Sequence, residues 1–130
     1  MKEIDGEGTL VLRVKTRPND ANKGGDIFGG WLMSQIDIAG AIAAAECAKG
    51  PVVTVAVKDL KFIQPLFIYD IASFYTKVTR VGSTSVTVEV EVFAQRYQEG
   101  ERPRDRVKVS DATLIYVAVS KPGQKRTIPS

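Results

Sequence analysis

One segment constrains this chain more than any other. From about Phe28 to Ala48 the sequence reads as a helix, and Gly50-Pro51 stops it. Trp31, Leu32, Met33, Ile36, Ile38, Ala39, Ala41, Ile42, Ala43, Ala44 and Ala45 leave it almost no polar side. A helix that is apolar all round is buried all round. In a small domain this requires a sheet wrapped over one side of the helix and a partner subunit against the other. The stretch Ile27 to Ala48 is long enough to span a bilayer, but it carries Asp37, Glu46 and several glycines. Its flanks read as strands of the same domain, so no membrane partner is expected.

Strands surround this helix in the sequence. Thr9 to Thr16 alternates, with Leu10, Leu12 and Val14 in phase, and a polar loop from Arg17 to Gly25 follows. After the helix, Val52 to Phe62 alternates, with Val53, Val55 and Val57 on one face, and Pro65 ends it. Ile71 to Val81 is a strand and Gly82-Ser83-Thr84-Ser85 a turn. Val86 to Arg96 is a strand with Val86, Val88, Val90 and Val92 in phase. Tyr97 to Pro103 is a charged turn, and Arg104 to Ser120 the last strand. The order β-α-β-β-β-β, joined mainly by hairpins, is an α+β class with an antiparallel sheet.

Length and composition bound the chemistry. The 130 residues make one domain, 1–130, large enough for a core without covalent staples. There is no histidine, so a Ser-His-Asp triad, a Cys-His pair and a histidine-bound metal are all excluded. Acid–base work falls to Asp, Glu, Lys, Tyr or the thiol. The single cysteine, Cys47, forbids an intrachain disulfide and suits a reducing cytoplasm. Met1 to Gly8 has acidic residues and no apolar run, and does not read as a signal peptide. With 18 Lys and Arg against 15 Asp and Glu, the net charge of +3 fits an anionic small ligand better than a nucleic-acid duplex.

Asp37 stands out because it lies mid-helix between Ile36 and Ile38, where an unpaired carboxylate is costly to bury. It is either a carboxylate bonded to Gln35, Ser34 or a backbone amide, or a general base or nucleophile lining a cleft. Asp26 reads as the N-cap of the helix. The helix-start amides beside it, unshielded at Gly29 and Gly30, suit an oxyanion. Asp26 and Asp37 are eleven residues apart, about 16 Å along a helix axis. One subunit cannot bring both to one reacting atom, whereas two helices packed across a two-fold axis can. The glycines lack the Walker lysine and the dinucleotide spacing. Cys47 reads as a small core residue. Arg96, Arg102, Arg104, Arg106 and Lys108, mixed with Glu99, Glu101 and Asp105, read as a solvated hairpin. Lys121, Lys125 and Arg126 read as a solvated tail, with phosphate binding the second reading.

The run Asp20-Ala21-Asn22-Lys23-Gly24-Gly25-Asp26-Ile27-Phe28-Gly29-Gly30-Trp31-Leu32-Met33-Ser34-Gln35-Ile36-Asp37 resembles the loop-and-helix signature of hotdog-fold acyl-CoA thioesterases of the YciA type. Further matches are Val52-Val53-Thr54-Val55-Ala56-Val57, Phe62-Ile63-Gln64-Pro65, Val81-Gly82-Ser83-Thr84-Ser85 and Arg126-Thr127-Ile128-Pro129. The resemblance implies a helix wrapped by an antiparallel sheet, paired into dimers and assembled as a trimer of dimers. It implies hydrolysis of acyl-CoA to free acid and CoA, with no metal and no separate cofactor. Asp37 would be the base or nucleophile. Asn22, Asp26 and the amides near Gly30, from across the dimer interface, would polarise the thioester. Coenzyme A would lie near Phe62, the turn Ser83, Thr84 and Ser85, and the tail residues Lys125 and Arg126. Some relatives carry Asn at the position of Asp26.

Two other functions compete with hydrolysis. A hotdog module that binds acyl-CoA without cleaving it has no reason to keep a carboxylate at Asp37. A nucleic-acid binder needs exposed aromatics among its basic residues, and only Tyr97 fits.

Overall fold

The computed structural model describes residues 8–96, 106–121 and 123–129. The helix α1 spans Gly29–Ala48, and the strands are β1 (Thr9–Lys15), β2 (Val52–Phe62), β3 (Ile71–Val81), β4 (Ser85–Gln95), β5 (Val107–Lys121) and β6 (Gln124–Lys125). The main sheet runs β1-β3-β4-β5-β2, every neighbour antiparallel, and curves around α1. This is the hotdog architecture that the resemblance implies, and it fits the α+β class read from the pattern. Among the described residues, no helix is long and apolar enough to cross a membrane.

The core forms where the helix period meets the strand period. Leu32, Ile36, Ala39, Ala43, Ala44 and Ala48 recur every three or four residues and lie on one buried face of α1. Against them sit Val86, Val88, Val90 and Val92 of β4, all with no exposed surface, and Leu114, Tyr116 and Ala118 of β5. Each fully buried valine contributes about 1.5–3 kcal/mol relative to exposure. The opposite helix face is open in the single chain: Met33 and Ile38 are 41% and 47% exposed. The helix ends where Lys49 turns left-handed, at φ 59°, and the Gly50 amide donates to the Ala45 carbonyl.

Four local expectations change. Asp26 does not cap the helix: the N-cap is Phe28, with no side-chain cap. The reason is that residues 26–28 are still extended, bridged to Phe67 and Ala21, and the Phe28 amide donates to the Asp20 carbonyl. Leu10 does not share a face with Leu12 and Val14, because a bulge between Leu10 and Leu12 turns it outward to 45% exposure. The C-terminal tail is only partly solvated: Lys121 and Lys125 are exposed, but β6 pairs with β5, Arg126 is half-buried and Ile128 is buried. The basic hairpin is partly bonded, since Arg96 pairs with Asp70, Arg106 donates to the Tyr75 hydroxyl, and Lys108 bridges Glu91 and Asp111. Arg102, Arg104 and the turn Tyr97 to Pro103 lie outside the described residues.

Candidate active site

Asp37 lies on the flank of α1 that faces β2 and β5. Its Oδ1 accepts a hydrogen bond from Thr54 Oγ1 at 2.6 Å and another from the Tyr116 hydroxyl at 3.1 Å. The same hydroxyl donates to the Asp37 main-chain carbonyl at 2.8 Å. Oδ2 has no partner among the described residues. Tyr116 is fully buried, and it reaches the helix only because residue 40 is glycine: a β-carbon at Gly40 would overlap the phenol oxygen. Burial first, and then the Asp37 charge, push the Tyr116 phenol up from its ordinary value, so it remains a donor. The sequence reading missed both Thr54 and Tyr116. A hydroxyl among the valines of β2, and a glycine in mid-helix, are the signals that point to them.

The predicted loop partners of Asp37 are elsewhere in the chain. Asn22 and Asp26 line a cleft of about 360 Å³ with Ile27, Phe28, Gly29 and Phe62. Asp37, Thr54 and Tyr116 do not line it. The Phe62 ring lies against Gly29, while Gly30 is open with nothing beside its α-carbon. Asn22 Oδ1 accepts from the Gly24 amide at 2.9 Å, and the Asn22 amide donates to the Asp26 carbonyl at 2.8 Å, which folds the loop tightly. The far wall, 64–66, is held by Arg96. Its Nε pairs with Asp70 at 3.0 Å, and its other end donates to the Pro65 carbonyl at 2.7 Å. Burial raises the Asp70 carboxyl above its usual range, against the pull of the Phe67 amide and Arg96.

A third group sits at the far end of β2. The Ile128 amide donates to the Ser83 carbonyl, and the Ala118 amide of β5 to that of Thr84, so the turn Ser83–Ser85 lies beside the tail and β5. Lys125 is exposed. Arg126 grips three carbonyls, those of Val119 at 3.0 Å, Ala48 at 2.9 Å and Pro51 at 3.3 Å. It therefore ties the helix end and the loop before β2 to β5, with two of its five N–H groups to spare.

Strand β2 sets the spacing of these groups. Thr54 is near its start and Phe62 at its end, about 25 Å apart at strand rise. β2 is also a sheet edge, with Val53, Val55 and Val57 exposed at 42%, 55% and 36%. Among the described residues, no cluster of His, Cys, Asp and Glu could hold a metal.

Comparison with known proteins agrees with this geometry. The model of the Thioesterase superfamily matches residues 24–101. The acyl-CoA thioester hydrolase YciA of Salmonella typhimurium is 44% identical over 123 residues, covering 95% of this chain and 92% of that one. The hexameric thioesterase of Yersinia pestis matches with a TM-score of 0.89 at 42% identity, covering 95% and 98% of the two chains. A hexameric hotdog-fold thioesterase of Campylobacter jejuni gives a TM-score of 0.88 at 45% identity, covering 94% and 91%. With one helix wrapped by an antiparallel sheet and an aspartate anchored on that helix, the chain belongs to the thioesterase superfamily, among the hotdog-fold acyl-CoA thioesterases of the YciA type.

Proposed function

We propose that this chain hydrolyses acyl-CoA thioesters to free acid and CoA at a site shared by two copies of the chain. The observation that carries the reading is the Asp37 carboxylate, seated on the Thr54 hydroxyl at 2.6 Å beside an open sheet edge. Antiparallel pairing of two β2 edges about a two-fold axis covers Val53, Val55 and Val57. It also sets the Thr54 end of one strand beside the Phe62 end of the other. Asp37 of one copy then meets Asn22, Asp26 and Gly30 of the second. The relatives' hexamers support a trimer of such dimers. The lone cysteine and the substrate class fit a cytoplasmic setting.

The chemistry follows from the residues present. Asp37 either takes a proton from the attacking water, or attacks the thioester carbon itself to form an anhydride that water then opens. In both routes water adds across the C–S bond, and acid and thiol leave. The carbonyl oxygen gains charge in the transition state, where the Gly30 amide and the Asn22 side chain hold it. A thiol with an ordinary pKa of about 8.5 leaves readily as the thiolate, so no histidine acid is needed. Lys125, the remaining N–H groups of Arg126, and Ser83, Thr84 and Ser85 hold the CoA phosphates, with Phe62 along the same path. Thiol release over a series of acyl-CoA chain lengths tests the reading. Wild type releases thiol and Asp37→Asn does so about 10²-fold more slowly or worse; no release by wild type at any chain length would overturn it.

A further inference from the structure

Tyr116 is not needed for the fold in the form it takes. A phenylalanine would fill the same apolar space under α1, yet a buried hydroxyl stands there, and Gly40 leaves the room it occupies. That hydroxyl has one hydrogen and two acceptors in reach, the Asp37 carbonyl at 2.8 Å and Asp37 Oδ1 at 3.1 Å. Thr54 Oγ1, from the other side, donates to the same Oδ1 at 2.6 Å. Both side-chain donors thus converge on one carboxylate oxygen, and Oδ2 is left without a partner among the described residues.

We infer that Tyr116 is a positioning residue: with Thr54 it clamps Asp37 Oδ1, so that Oδ2 is the oxygen presented for reaction. The inference rests on the proposed role of Asp37 and adds which oxygen acts and what orients it. The setting is free of direct ion pairs. Thr54 of β2 and Tyr116 of β5 are the polar contacts on Asp37, and Ser34 on α1 is turned to the Trp31 carbonyl. Along the packed elements, the first charges are Lys49 and Lys58 about Thr54, Asp111 and Lys121 about Tyr116, and Glu46 on α1. Among the described residues, none of these pairs with Asp37.

The test is Tyr116→Phe in the full assembly. Removing a donor from a carboxylate disfavours its charged form, so the acid limb of the kcat profile moves to higher pH. The expected shift is about one pH unit, the scale of a hydrogen bond to a charged group. The expected kcat at neutral pH falls about 10-fold with KM within 2-fold, the mark of a loss felt at the transition state. A merely structural hydroxyl would lower the melting temperature and leave the acid limb where it was, which would overturn the inference. The wild-type protein gives a second reading that needs no variant. In a ¹³C titration, the Tyr116 Cζ resonance moves with the same midpoint as the Asp37 carboxyl; a Cζ signal that ignores that midpoint overturns the inference. Activity retained in Asp37→Asn would instead overturn the underlying assignment, whatever Tyr116 does.

Discussion

The Asp37 group and the Asn22–Asp26 cleft are built in opposite ways. Asp37 stands on a long helix, and its two donors come from strands of the central sheet. Every contact is side chain to side chain or to helix backbone, and Tyr116 is part of the core. The cleft is made of loops closed by backbone bonds: Asn22 to Asp26, Phe28 to Asp20, and Ile27 to Leu66. Its acidic side chain, Asp26, is exposed and has no partner among the described residues. The rigid half suits a group that must meet the reacting atom at fixed geometry. The loop half suits groups that only orient or polarise, where backbone amides serve and the side chain can vary.

Substitutions on the two halves sharpen this contrast. Asp37→Asn keeps the shape but cannot accept the proton, so kcat should fall about 10²-fold or more in a thiol-release assay, with the oligomer intact. Near wild-type turnover would place the reacting group elsewhere. Asp26→Asn should lose less than about 10-fold, since an amide still orients the thioester. A larger loss there than at Asp37 would reverse the two assignments.

The basic tail separates binding from structure. Lys125→Ala should raise KM a few-fold with kcat unchanged, and CoA inhibition should weaken as salt rises, because exposed charges are screened. Arg126→Ala should do the same and also cost about 1–3 kcal/mol in chemical denaturation, because three carbonyls, two of them part-buried, lose their donor. Equal stability of the two variants would contradict this structural role of Arg126.

The smallest effect belongs to Asp70, beneath the loop half. Burial holds its carboxyl above the ordinary value of 3.8. A carboxyl raised on folding favours the fold below its unfolded value, and that contribution is lost as pH rises through the folded value. Asp70→Asn cannot ionise. As pH rises above that ordinary value its melting temperature should therefore fall less than that of wild type. Parallel melting curves across that range would remove Asp70 from the account.

Much of this was legible in the chain because regular patterns repeat. The valines of β4 alternate without a break, and all four lie in the core as the phase requires. The helix and its Gly50-Pro51 stop are equally plain, and so is Asp37, a charge in an apolar run. What stayed hidden depends on contacts distant in sequence or on local breaks in period. Tyr116 and Gly40 meet only after the sheet closes over the helix. The Leu10 bulge shifts a face that alternation alone assigns to the core. Asp26 has the composition of a cap, but its bridge to Phe67 and that of Ile27 to Ala21 keep the backbone extended up to the N-cap Phe28. Arg126 looks like a free cation until its carbonyl partners from α1, β5 and the loop before β2 are brought around it.

The central claim is that one working site draws its two halves from two chains. Subunit mixing tests it directly. Asp37→Asn and an Asn22→Ala/Asp26→Ala double variant, each weakly active alone, are unfolded, mixed in equal amounts and refolded together. If the site is shared, half of the dimers pair one variant with the other, and each of those holds one intact site and one doubly defective one. Thiol release should then recover to about a quarter of the wild-type rate. A mixture no more active than the average of the two variants alone would contradict the shared site and place both halves within a single chain.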